Sequence, residues 1–399
     1  MDKLIYMDNA ATTSTAPAVV SAMLPFFTEY YGNPSSVYNF AQKSKMAIED
    51  AREIIADSIG AAKSNEIYFT GGGSESDNWA LKSAAFGLRD KGNHIITTKI
   101  EHHAILNTCA YLEKNGFEIT YLDVDSEGFV SLEDVENAIT DQTILISVMF
   151  ANNEIGTIEP VREIGEIAHK HGILFHTDAV QAMCHVPINV TEMNIDLLSA
   201  SAHKFHGPKG VGFMYMKNTA KLEPFIHGGA QERARRAGTS NVPGIVGMGQ
   251  AVKLALGTLD KDTHTIINMR NYIVDRILGE IPDVTFDGPC IDANADVNAV
   301  SVGLPMCSLK RLPSNMHFCF KDVSGDSLLI MLDMNGICAS SGSACAAGSI
   351  DPSHVLLAIG RSKGETKGAL RLSIDKDLTK EDADYAIDAL KAAVARLRR

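Results

Sequence analysis

Between residues 66 and 217 the chain alternates short β-rich apolar runs with stretches in which apolar residues recur at helical spacing. The runs fall at 66–70, 94–99, 117–123, 143–150, 173–178, 197–200 and 211–217. Strand and helix in regular turn predict an α/β fold: a mostly parallel sheet of seven strands wrapped by helices, since parallel neighbours need a crossover between them. Ligands of such sheets gather beyond the carboxyl ends of the strands. Polar clusters fall at those ends here: Gly71-Gly72-Gly73-Ser74, Glu101-His102-His103, Asn152-Asn153-Glu154 and His176-Thr177-Asp178.

Beyond Lys217 the pattern turns mostly helical, with a long stretch over 242–280 expected to bridge to a second unit. That unit reads as a smaller α+β domain, with strands at 284–287, 316–320 and 369–374 and helices at 327–334 and 380–397. The expected division is a large cofactor-binding domain over 15–255 and a small domain made of 1–14 with 256–399. The most irregular part of the small domain is a loop at about 339–349. An exposed loop is expected at 292–299.

Composition narrows the classes. A chain of 399 residues, 45% hydrophobic and 21% charged, has room for two cores and resembles neither a disordered nor a membrane-spanning sequence. No uninterrupted apolar run reaches the roughly 18 residues of a membrane span, and Met1 to Tyr6 hold no basic region leading into an apolar one. The expectation is a cytoplasmic protein without membrane contact. A net charge of -13 repels nucleic-acid phosphates, so no direct nucleic-acid partner is expected. Arg233, Arg235 and Arg236 are the locally basic exception, suited to a subunit contact or an anion. The cysteines (109, 184, 290, 307, 319, 338 and 345) are odd in number with no CxxC pair, which argues against a disulfide framework and against a metal site.

Four segments carry chemistry. In 199–210, SASAHKFHGPKG, Lys204 is placed to form a Schiff base with an aldehyde cofactor, with Ser201 and His203 near its phosphate, unless it is simply a solvated loop lysine. In 70–78, TGGGSESDN, glycines and a helix start suit a phosphate, although Ser74 with Asp77 also reads as a capping pair. Asp178 leaves a buried strand and either pairs with a protonated pyridine nitrogen or caps a helix. His102 is a core histidine or a ring that stacks on a flat cofactor. In 340–348, SSGSACAAG, Cys345 lies among small residues that allow the exposure and movement an attacking thiolate needs. Cys338 reads as a strand residue packed in the core.

Together these segments resemble the cysteine desulfurases of the NifS/IscS type, pyridoxal-phosphate enzymes of fold type I. The resemblance runs along nearly the whole chain: MDNAATT at 7–13, GNPSS at 32–36, GGGSESDN at 71–78, IEHHAIL at 100–106, NNEIG at 152–156, HTDAVQ at 176–181, SAHKFHGPKG at 201–210, RAGT at 236–239 and SSGSAC at 340–345. It implies pyridoxal 5'-phosphate held covalently by Lys204, which also moves protons. His102 would stack on the ring, Asp178 would pair with its nitrogen, and Asn153 and Gln181 would contact its oxygen. Gly73, Ser74, Ser201 and His203 would hold the phosphate, with Thr239 arriving from the partner subunit of a homodimer. Arg371, with Asn33 beside it, would clamp the carboxylate of L-cysteine. Cys345 would take the sulfur as a persulfide and pass it to an acceptor protein, with an iron-sulfur scaffold the first expectation.

The chain departs from this family in several places. Ala346 and Ala347 stand where hydroxyl residues usually follow the cysteine, and Val37-Tyr38-Asn39 replaces a histidine after NPSS. The stretch 289–310 is longer than usual, and an extended C-terminal tail is missing. Rival readings are a selenocysteine lyase, another fold-type I enzyme such as an aminotransferase, and a non-catalytic scaffold. A transaminase has no use for Cys345, and a retired site would have lost some of its cofactor contacts.

Overall fold

The computed structural model describes residues 4–220, 222–291, 309–342 and 352–399. Cys307, Cys345, Ala346, Ala347 and the exposed loop expected at 292–299 lie outside the described residues.

After a two-residue strand, β1 (Ile5–Tyr6), the chain builds a sheet from β2 (Ile67–Thr70), β3 (His94–Thr98), β4 (Glu118–Leu122), β5 (Thr143–Ser147), β6 (Leu174–Asp178), β7 (Leu197–Ser201) and β8 (Gly212–Met216). Its seven strands lie in the order β2-β8-β7-β6-β5-β3-β4. All run the same way except β8, which is antiparallel to both β2 and β7. Strands β2, β3, β5, β7 and β8 are buried along their whole length, so they read in sequence as continuous apolar runs. The edge strand β4 is only partly covered. The helix Val161–Lys170 shows how the faces are closed: Val161, Ile164 and Ala168, three and four apart, turn inward.

A helix of 39 residues, Val242–Glu280, connects two cores. Its first turns bury Val242, Ile245, Met248 and Val252 in the core around the large sheet. Its last turns bury Ile273, Val274 and Ile277 in a second core. By length and mean hydropathy, 1.3 over its most apolar window, this helix matches a membrane span. Reading for uninterrupted apolar runs missed that, and the apolar residues named here are spent on protein cores instead. The second core covers an antiparallel sheet of β9 (Val284–Phe286), β10 (Asn315–Phe320) and, after the short β11 (Ile337–Cys338), β12 (Ala369–Ser373), in the order β12-β10-β9. Strand β1 pairs in parallel with β11, so the start of the chain is sewn to its last third.

Two expectations need correction, and a third is narrowed. The helical region expected beyond Lys217 is mostly the Val242–Glu280 helix; before it the described residues hold one helical turn, Gln231–Ala234, with left-handed backbone at Glu232, Arg233 and Ala234. Distant partners hold it so, because Glu232 accepts from both Nη atoms of buried Arg52 at 2.8 and 3.0 Å. Ser74 does not cap its helix, whose N-cap is Gly72; Glu75 reaches back instead and accepts from Gly71 N at 2.8 Å. Cys338 lies in a strand as expected but is only half-buried.

Buried Glu159 offers a pH-dependent prediction. Burial raises its carboxyl to about 8, although Val130 N donates to Oε2, and Oε1 has no partner among the described residues. The folded state therefore holds this proton more tightly than the unfolded chain, and its contribution to stability falls as pH rises from 4.5 to about 8. Glu159→Gln keeps the Val130 bond and removes the titration. Its melting temperature is expected to match the wild type near the lower pH and exceed it increasingly toward the higher one, which calorimetry at several pH values would check.

Candidate active site

The carboxyl ends of β6 and β7 bring the expected groups together. Lys204 follows β7 on a tight turn, Ala202–Lys204, and its Nζ donates to Ala10 O at 2.6 Å and Ala11 O at 3.0 Å. Gln181 Nε2 donates to the same Ala10 O at 3.0 Å. His203 Nδ1 lies 3.1 Å from Thr12 Oγ1, and Thr13 Oγ1 donates to His203 O. The MDNAATT segment is thus a strap laid across the lysine turn.

Asp178 ends β6, 6% exposed. Its Oδ1 accepts from Val180 N at 2.9 Å, an Asx turn rather than a helix cap, and Oδ2 has no hydrogen-bond partner among the described residues. Burial pushes its carboxyl up, while His102 and Lys204 pull it down. A buried carboxylate in that condition is suited to a cationic partner. Behind it stand Asp77, raised well above the carboxylate range by burial and then by Asp178, and Glu101, raised by burial to about 8. His176, between Ser147 Oγ and Ser199 Oγ, is pushed down by burial to about 3 and stays neutral. His102 caps the helix His103–Glu113, its Nδ1 accepting from Ala104 N, and its ring is half-exposed.

Near this group the helix Gly73–Gly87 points its N-terminus into an open cavity of about 510 Å³ lined by Thr12, Gly72, Ser74, Ser201, His203 and Lys209 among others. The Ser74 and Ser201 hydroxyls bond no other described residue. His203 is pushed down to about 4, by burial first and then by Lys204 and Lys209, so it meets an anion as a neutral donor. Gly72 has a φ of 151°, and a Cβ there would approach Ser201 Oγ to 3.6 Å. Helix amides, unengaged hydroxyls and a lysine fit a phosphate. With Lys204 and Asp178 they fit pyridoxal phosphate. Lys209 was quoted within its motif but given no role from sequence; its place in this cavity adds the one full positive charge. Thr239 is exposed and lines an adjoining cavity with Gly71, Gly210 and Arg236.

Arg371, in the middle of β12, is 2% exposed. One Nη donates to Asn153 O at 3.1 Å and Gly342 O at 3.2 Å, and the other to Asp8 Oδ1 at 2.8 Å. Its Nε is a buried donor without a partner among the described residues. A guanidinium with an unspent Nε–H suits a small carboxylate. The strap therefore touches both groups: Asp8 holds the arginine, and two residues later Ala10 holds the lysine. Asn33 sits on an exposed turn with its Oδ1 accepting from Ser35 N, and no hydrogen bond joins it to Arg371. The locally basic arginines all have partners within the chain. Arg233 donates to Ile67 O, Arg235 to Leu222 O, and Arg236 pairs with Glu75.

The family model described as aminotransferase class-V matches residues 5–386. A Clostridium botulinum protein named cysteine desulfurase IscS is 54% identical over 398 residues, covering 100% of this chain and 96% of that protein. A solved NifS-like protein superposes with a TM-score of 0.89 at 35% identity, over 99% of this chain and 100% of its own. A second, SspA in complex with cysteine, superposes with a TM-score of 0.78 at 37% identity, over 93% of this chain and 99% of its own.

Proposed function

The chain belongs to the class-V aminotransferase family and is a pyridoxal-phosphate-dependent cysteine desulfurase, and from that premise we propose how its residues divide the work. Lys204 anchors the cofactor and carries a proton on Nζ to and from the substrate carbon. Asp178 keeps the ring nitrogen protonated, His102 covers the ring, and Asn153 and Gln181 contact its oxygen. Gly73, Ser74, Ser201 and His203 hold the phosphate, with Thr239 supplied by a second copy of the chain. Bound pyridoxal phosphate supplies the electron sink that makes the substrate α-proton removable.

Arg371, with Asn33, fixes the cysteine carboxylate and so orients its sulfur. The Cys345 thiolate attacks that sulfur: the new S–S bond forms as the substrate C–S bond breaks, and the electron pair stays with the carbon, which is protonated and leaves as alanine. The persulfide then passes to an acceptor protein, with an iron-sulfur scaffold the first candidate, in the cytoplasm. We also propose the division into a domain over 15–255 and one of 1–14 with 256–399, the latter carrying the cysteine.

The observation that carries the substrate reading is the buried, unpartnered Nε of Arg371, on an arginine tied through Asp8 to the strap that holds Lys204. The purified protein is expected to release alanine from L-cysteine in the presence of a thiol reductant. Arg371→Lys keeps the charge but loses the planar edge, so KM for cysteine should rise by about tenfold or more, with the cofactor still loaded. Absence of alanine from the cofactor-loaded wild type would remove the proposal.

A further inference from the structure

Two residues beyond Lys204, His206 stands in left-handed backbone, with a φ of 61° that a side chain of its size rarely adopts. The start of the chain holds it there: its N donates to Thr13 Oγ1 at 2.8 Å, and its O accepts from Ala16 N at 3.0 Å. The ring is gripped at both ends. Nδ1 lies 3.0 Å from Ser14 O, and Nε2 lies 3.2 Å from Asp375 Oδ2. Asp375 follows β12, the strand of Arg371, just past Ser373, whose Oγ accepts from Ala10 N at 2.8 Å. His206 therefore spans from the lysine turn to the end of the arginine strand, by a route separate from the bond between Asp8 and Arg371.

The partners fix the protons on the ring. A carbonyl only accepts, so Nδ1 carries a hydrogen toward Ser14 O. One more proton lies between Nε2 and Oδ2. The bond with Asp375 raises the imidazolium against the cost of burial, and the same bond holds the Asp375 carboxyl below its ordinary value although burial works against it. That proton sits on His206, a cation with both N–H groups engaged.

The other charges nearby leave this pair intact. Lys376 opposes the cation, but it is itself paired with Asp262 of the long helix at 2.6 Å. His185, whose Nε2 lies 3.0 Å from Lys204 O, is pushed down toward its neutral form, by burial first. Lys204 and Lys209 donate to the strap carbonyls of Ala10, Ala11 and Thr13. The His206 and Asp375 side chains are 30% and 27% exposed, so their shared proton exchanges with solvent.

We propose that His206 is a positioning residue which, as an imidazolium bound to Asp375, locks the Lys204 turn to the end of the strand carrying Arg371 and so sets the span between cofactor and substrate carboxylate. The proposal rests on Lys204 and Arg371 having the roles assigned above. When His206 gives up its second proton, lone pairs of Nε2 and Oδ2 face each other and the lock opens. Its contribution is fully present below the ordinary histidine value of 6.5 and is lost as pH rises through the raised value of the folded protein.

Asp375→Asn leaves His206 an acceptor oxygen but removes the charge, and His206→Gln leaves Asp375 an N–H that does not titrate. The readout in the cofactor-loaded protein is the cysteine concentration that half-saturates the cofactor absorbance change, divided by the wild-type value at the same pH so that the ionisation of cysteine cancels. For Asp375→Asn this ratio is expected to be about fivefold at about pH 6, the scale of one partly buried ion pair, and to fall to about one at about pH 9, where the wild type has lost the lock as well. His206→Gln should show a smaller ratio at the lower pH, and the double variant should bind cysteine no more weakly than the weaker single one. In the cofactor-free protein, the melting-temperature deficit of Asp375→Asn should shrink over the same pH range. A ratio of one at every pH, a loss that does not change with pH, or additive losses in the double variant would each overturn the lock. If Arg371→Lys bound cysteine as the wild type does, the carboxylate assignment itself would fall instead.

Discussion

Lys204→Ala is expected to lower alanine formation from cysteine by about 10³-fold or more, the scale of losing a placed proton carrier. The side chain does two jobs that no neighbour can take over. Its Nζ is set by the strap carbonyls of Ala10 and Ala11. Lys209 donates to Thr13 O at 3.3 Å, on the side of the phosphate cavity. Because Asp178, the Gly73 helix and the Ser74 and Ser201 hydroxyls are untouched, the variant should still bind the cofactor without a covalent bond. Borohydride treatment followed by peptide mapping should place the cofactor on Lys204 in the wild type and on no residue in the variant. Full turnover by Lys204→Ala would sink the assignment.

Cys345→Ala is expected to load cofactor and respond to cysteine with the wild-type absorbance change, yet to form no persulfide and essentially no alanine. The described cysteines narrow the alternatives. Cys109, Cys184 and Cys319 are buried, and burial drives each thiol far above its ordinary value, so none supplies a thiolate. Cys338 is half-buried, and burial, Asp333 and Asp8 raise its thiol as well. Cys290 is exposed, which makes Cys290→Ser the informative control. Mass spectrometry after a single turnover should find the extra sulfur on Cys345 in the wild type, in Cys290→Ser and in Cys338→Ala. A persulfide on Cys290 or Cys338, or a wild-type alanine rate in Cys345→Ala, would defeat the mechanism while leaving fold and cofactor standing.

Much of the large sheet was legible because its strands are covered on both faces. Runs read at 173–178 and 211–217 became β6, trimmed by one residue at its start, and β8, trimmed by one residue at each end. The helix over 242–280 was legible because its apolar positions keep one period from the first core to the second. Strands β1 and β11 were not, since two residues carry no period and exist only by pairing across the fold. The irregular backbone at 232–234 was not legible, because Glu232 answers to Arg52, a partner 180 residues away, rather than to its neighbours. In the site, Lys204, Asp178, His102 and the Gly73 helix were readable as polar groups at strand ends. The bond from Arg371 to Asp8 was not, for the two are 363 residues apart and neither motif hints at the other.

The strap also has a consequence for synthesis. Residues 5–13 are made long before their partners: Ile5 and Tyr6 pair with Ile337 and Cys338, and Asn9 bonds Ser373 across 364 positions. Until those late residues emerge, the strap can be held only by the lysine turn, and the carboxylate of Asp8 has no arginine to set. Such long-range closure slows folding. It also postpones a complete reaction centre until residues as late as Ser373 have been made, so a nascent chain stalled earlier would hold the strap and the lysine turn without the arginine that the strap joins to them.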